Sequence, residues 1–168
     1  MLAAAATAYG AGIAGAAETG TLAEAHKLMC LQDFESAGDI ACTLLSREPN
    51  NASARQYLGI CAYRIGKIGL AQKQFSWRVA TGVATAVDHL YLGHCLFCAG
   101  DVNGAVKEYS TALSMNPRLP DAYEGLTKSY VALGNLRHAS AVKARALQYG
   151  CPIDVSTSPA PPIKHIGS

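Results

Sequence analysis

The tripeptide Tyr57-Leu58-Gly59 recurs 34 residues later as Tyr91-Leu92-Gly93. A fixed period of this length restricts a chain to architectures built from one repeated supersecondary unit. The same offset joins Cys61 to Cys95, Gly66 to Gly100, Ala71 to Ala105 and Phe75 to Tyr109. One step on, Leu126, Tyr130, Gly134 and Ala139 follow Leu92, Leu96, Gly100 and Ala105; one step back, Ala25, Leu28, Ala37 and Pro49 hold the frame. Four units result without insertion: 18–51, 52–85, 86–119 and 120–153.

Each unit divides into two segments of helical periodicity. In the third, Leu92 and Leu96 share one face, and Val102, Ala105, Tyr109 and Ala112 share the next. Gly100 between them suits the left-handed end of the first helix, and Asp101 suits capping of the second. Pro117 closes the unit because a helix interior accepts proline poorly. Gly93 and Ala105 are small where two helices must approach closely. The expected fold is therefore all-α, with four helix-turn-helix units between an Ala/Gly-rich segment at 1–17 and a Pro/Ser-rich tail at 154–168.

These motifs resemble the tetratricopeptide repeat, whose L-G-x2-Y…A-x3-F…P pattern has a 34-residue period. The third unit matches as Leu92-Gly93-x2-Leu96…Ala105-x3-Tyr109…Pro117, and the fourth as Tyr123-x2-Leu126…Tyr130…Ala139. The resemblance implies a right-handed superhelical solenoid and a non-catalytic protein-binding role. Departures occur at Thr21 and Glu24, where large apolar residues are usual, and at Val83, in place of the closing proline. Arg78 stands at a usually small site. Lys143 stands where Phe75 and Tyr109 do, which suits an end unit with a polar outer face.

His94-Cys95-x-x-Cys98 invites a metal or redox reading. Zinc needs four ligands, and no second close Cys or His pair accompanies it. A thioredoxin-like pair needs a preceding strand, which the pattern does not supply. The repeat explains the cysteines more simply, as small apolar residues near helix contacts. No phosphate-binding loop or nucleophile elbow is present. No catalytic residue, metal or cofactor is expected. Six cysteines without a clear secretion signal suggest a reducing cytoplasm.

Charge narrows the partner class. Only 15% of residues are charged and the net charge is +2, too little to argue for nucleic acid. The distribution is uneven. Residues 18–51 hold six acidic and two basic side chains, whereas 52–85 hold five basic and none acidic. This is either a variable solvated surface, or a match to an anionic partner or to another copy of the chain. The apolar N-terminal run lacks a preceding Lys or Arg and is interrupted by glycines, so a flexible arm or a dimerising helix fits better than a signal peptide. Stable membrane insertion is not expected.

Carried over residue by residue, the resemblance places the groove lining on the first helix of each unit. Unit one supplies Leu22, His26 and Met29; unit two Gln56, Ile60, Tyr63 and Arg64; unit three Leu90, His94, Phe97 and Cys98; unit four Asp121, Glu124 and Lys128. Family members that clamp an acidic C-terminus use Lys, Asn and Arg, whereas the comparable places here hold Leu22, His26, Gln56, Ile60 and Leu90. An extended partner segment with apolar anchors along Tyr63 and Phe97 is expected instead.

A narrower resemblance runs through residues 57–100, with the L-G-x-C and H-C-L elements. The stretch is similar to the central repeats of class II type III secretion chaperones, small bacterial proteins that hold hydrophobic translocators before export. That likeness implies a cytoplasmic bacterial chaperone, and a dimerising role for residues 1–17. A tetratricopeptide scaffold joining folded subunits is the alternative.

Overall fold

The computed structural model describes residues 20–153, which form eight α-helices and, among the described residues, no strand. They are α1 (Leu22–Cys30), α2 (Phe34–Arg47), α3 (Ala52–Arg64), α4 (Ile68–Ala80), α5 (Ala86–Cys98), α6 (Val102–Met115), α7 (Pro120–Ala132) and α8 (Leu136–Gln148). Residues 1–17 and 154–168, assigned from sequence to an arm and a tail, lie outside the described residues.

Local chemistry starts and stops each helix. Side chains of Thr21, Asp33, Asn51, Asp101 and Asn135 accept from backbone N–H groups three residues on, satisfying donors that the first turn leaves free. At α5 the buried Asp88 carboxylate accepts from the Thr85 N–H at 2.7 Å. At α7, Pro120 occupies the first turn, where its missing N–H has no helical partner to lose.

The first helices of units two, three and four end at Gly66, Gly100 and Gly134, all with φ between +71° and +86°. In each, the next residue's N–H reaches back to a carbonyl in the last turn, as Asp101 does to Leu96 at 2.9 Å. Unit one puts Gln32 at this place, with φ +61°, a conformation that costs a residue bearing a Cβ. The missing proline of unit two is also explained. Gly82, φ +72°, ends α4, and the Val83 N–H bonds the Arg78 carbonyl at 3.1 Å.

The described residues divide into two compact units, 20–83 and 84–153. In the first, α1 packs on α2, α2 on α3 and α3 on α4. Its core is mostly alanine, with Leu58, Cys61 and Phe75. A Cβ on Gly59 would lie 2.8 Å from the Phe75 ring, so the glycine is what lets α3 and α4 close. Arg78 is buried, and its guanidinium donates to the carbonyls of Ala52 and Val83, tying the start of α3 to the loop after α4. A charged group fills the usually small site because backbone oxygens satisfy it.

In the second unit, α5 packs on α6, α6 on α7 and α7 on α8. Its core gathers Leu90, Tyr109, Leu113, Tyr123, Leu126 and smaller residues. Tyr109 is the hinge pin of this packing. A Cβ added at Gly93 or at Gly125 would fall 2.7 and 2.5 Å from its ring, so two glycines on two different helices hold one aromatic ring.

Candidate protein-binding site

The residues expected to line a groove lie on the first helix of each pair, and each compact unit presents its own set. In the first unit, α1 and α3 supply it. Leu22, Met29, Gln56, Ile60 and Tyr63 are half-buried, and His26 is exposed. The His26 ring stacks on Tyr57 with centroids 6.2 Å apart and planes 18° apart, and its Nε2 is 3.9 Å from the Cys30 Sγ. Arg64 is committed elsewhere: its guanidinium sits 4.5 Å over the Phe34 ring at the start of α2. Such a cation–aromatic contact holds the side chain toward the second helix of unit one.

In the second unit, α5 and α7 supply the set. His94 is its centre. Its Nδ1 is 2.8 Å from the Tyr109 hydroxyl, and it makes edge contacts with the rings of Tyr109 and Tyr91 at 5.3 and 6.0 Å. Burial lowers its pKa from 6.5 to about 4, with Asp121 and Glu124 opposing and Lys128 adding to the shift. The imidazole is therefore neutral at pH 7. The Glu124 and Lys128 head groups pair at 2.7 Å one helical turn apart on α7, so they present a dipole rather than a net charge.

Leu90 does not line a groove. It is 6% exposed and belongs to the core beside Tyr109 and Leu126, because its place on α5 faces the following helices. Phe97 is half-buried against the same core, leaving part of its ring available. Cys98 is half-buried, whereas Cys95 is wholly buried. Burial pushes the Cys95 thiol up to about 12 and the Cys61 thiol to about 11, so neither is a thiolate at neutral pH. Among the described residues, no three His, Cys, Asp or Glu side chains gather into a metal-binding group.

Tyr57 and Tyr91, missed as site residues, are the aromatic neighbours of His26 and His94. Both stand in the repeated Tyr-Leu-Gly, so the periodicity marked them as equivalent without showing which way they turn. The arrangement offers apolar surface beside neutral hydrogen-bonding groups. That composition suits recognition of a polypeptide rather than of an anion.

No protein-family model matches the chain, and no curated protein does. Solved structures match its fold. MamA residues 41 to the end from Desulfovibrio magneticus RS-1 superposes with a TM-score of 0.70 at 18% identity, over 79% of this chain and 77% of that one. A second MamA structure gives 0.67 at 22% identity, over 74% and 73%. A thermophilic tetratricopeptide protein from Thermus thermophilus gives 0.64 at 19% identity, over 76% and 72%. The chain thus has the all-α helical-repeat solenoid fold of tetratricopeptide proteins. Among the described residues no helix is long and apolar enough to cross a membrane.

Proposed function

We propose that this chain is a non-catalytic module that holds an extended, apolar-anchored segment of a partner protein against its first helices. The observation that carries this reading is the α5/α7 face. There a part-exposed Phe97 accompanies neutral His94 and the mutually neutralised Glu124–Lys128 pair. Aromatic anchors bury large area with few rotatable bonds to freeze. Tyr63 stands on α3 where Phe97 stands on α5, 34 residues apart, and is half-buried too. The lining lacks a cluster of free cations, which disfavours an acidic C-terminus as ligand.

The likeness of residues 57–100 to class II secretion chaperones supports a finer reading: a bacterial cytoplasmic chaperone for hydrophobic translocators, with residues 1–17 as a dimerising arm. A scaffold joining folded subunits is the second reading, favoured by the opposite charge bias of residues 18–51 and 52–85. Affinity capture with the intact protein and the Tyr63→Ala/Phe97→Ala variant, read by mass spectrometry, separates them. Hydrophobic secreted proteins held by the intact bait alone support the chaperone. Folded assembly subunits held equally by both baits place binding on other faces and favour the scaffold.

A further inference from the structure

The 34-residue frame gives every residue of α8 a counterpart on α6, and the two helices differ in what covers them. Leu113 on α6 is 1% exposed, packed in the core with Tyr123 and Leu126 of α7. Its counterpart Leu147 on α8 is 65% exposed, and so is Leu136. Lys143 takes the place of Tyr109 and is exposed as well. α8 therefore keeps an apolar residue suited to a following helix, with a cation where the central ring would be.

The face of α1 is the complement in the same frame. Three periods separate Leu126, which shares the core with Tyr109 and Leu113 of α6, from Glu24 on α1, and Tyr123 from Thr21. Glu24 and Thr21 are exposed, and half-buried Leu28 takes the place of Tyr130. Stacking α1 of one copy on α8 of another, in the register that α7 keeps on α6, brings Glu24, in the place of the core residue Leu126, beside Lys143, in the place of the core residue Tyr109. It sets Ala23 where Gly125 lies against Tyr109, and closes Leu28 over the apolar side. Charge agrees beyond this pair. α8 carries Arg137, Lys143 and Arg145 and no carboxylate, whereas α1 and α2 carry Glu24, Glu35 and Asp39, with Asp33 capping α2, against Lys27 and Arg47.

We infer that the outer faces of α8 and α1 are complementary docking surfaces that join copies of this chain head to tail, with Lys143 and Glu24 paired across the joint. A joint of this kind is heterologous, so each added copy leaves one face of each kind open to a further copy, and assembly runs on into an open chain or a ring. Opposite charge also speeds encounter at low salt.

Sedimentation velocity of the full chain over a concentration series at low salt tests this. The weight-average mass is expected to climb from 17.5 kDa without a plateau at two chains, and to fall as salt is raised. Lys143→Glu and Glu24→Lys should each weaken association roughly tenfold. An equimolar mixture of the two variants should associate again, because each then meets the opposite charge on the other. Leu147→Ser leaves the charge intact and should weaken association too, so the outcome does not hang on the charged variants alone. A constant monomer mass, a plateau at two chains, or association that neither the reversals nor Leu147→Ser alter would overturn the joint. A dimer lost only when residues 1–17 are removed would do the same.

Discussion

The Nδ1 of His94 lies 2.8 Å from the hydroxyl of Tyr109, the residue whose ring fills the space between Gly93 and Gly125. One side chain of the candidate site is thus fastened to the packing centre of its unit. Acid should loosen both together. An unfolded chain takes up a proton on this histidine near pH 6.5, whereas the folded one resists until about pH 4. The stability it supports is present above 6.5, is lost as pH falls from 6.5 to 4, and changes no further below. The full shift corresponds to roughly 3 kcal/mol. Half-burial allows solvent to screen part of it, so about 1–2 kcal/mol is expected. Urea melts of the intact protein and His94→Gln across this window check the figure, the variant showing the shallower loss.

Substituting either glycine beside Tyr109 should strain the same ring. Gly93→Ala and Gly125→Ala each bring a Cβ within 2.7 Å of it, while Ala gains about 1 kcal/mol of helix propensity over Gly. Overpacking outweighs that gain, leaving each variant about 1–2 kcal/mol less stable. The double variant should cost less than the sum, because one displacement of Tyr109 relieves both contacts. Thermal or urea denaturation of the three variants supplies the cycle.

Gln32 occupies the left-handed position that units two, three and four give to glycine. Gln32→Gly should raise stability by roughly 0.5–1 kcal/mol through removal of backbone strain. Gly100→Ala, at the equivalent place in unit three, should lower it by a similar amount. A shift of the two midpoints in the same direction would contradict this assignment.

Thiol labelling should sort the cysteines by burial. Cys30 is exposed, whereas Cys61 and Cys95 are buried with pKa values raised to about 11 and 12. Native protein treated with a chromogenic disulfide reagent should release one fast equivalent from Cys30. Cys61 and Cys95 should react at the rate of unfolding. Fast modification of Cys95 would reopen a chemical role for the His94-Cys95-x-x-Cys98 stretch.

Backbone features were legible in the sequence because they follow from residues acting on their immediate neighbours. The 34-residue offset located the helix pairs, Gly100 ends α5 with positive φ, and Asp101 caps α6 by accepting from Gly104. Side-chain directions were less legible. Leu90 and Phe97 both fit the lining pattern on α5, yet Leu90 turns into the core formed with α6 and α7. Arg64 fits it on α3, yet a nearby Phe34 ring holds its guanidinium. Arg78 departs from the repeat pattern, and only the positions of the Ala52 and Val83 carbonyls show why a charge is tolerated there. Spacing fixes an angle around a helix axis; what waits at that angle belongs to other segments.

The central claim is that first-helix faces hold an extended peptide. Its most direct test is selection of peptides from a random library on the full chain, followed by NMR mapping of the tightest binder. The account predicts an apolar-anchored peptide whose shifts gather on His94, Phe97, Glu124 and Lys128, or on Gln56, Ile60 and Tyr63, with binding lost in Tyr63→Ala/Phe97→Ala. Shifts confined to α2, α4, α6 or α8, or selection of acidic C-terminal peptides insensitive to that variant, would contradict it.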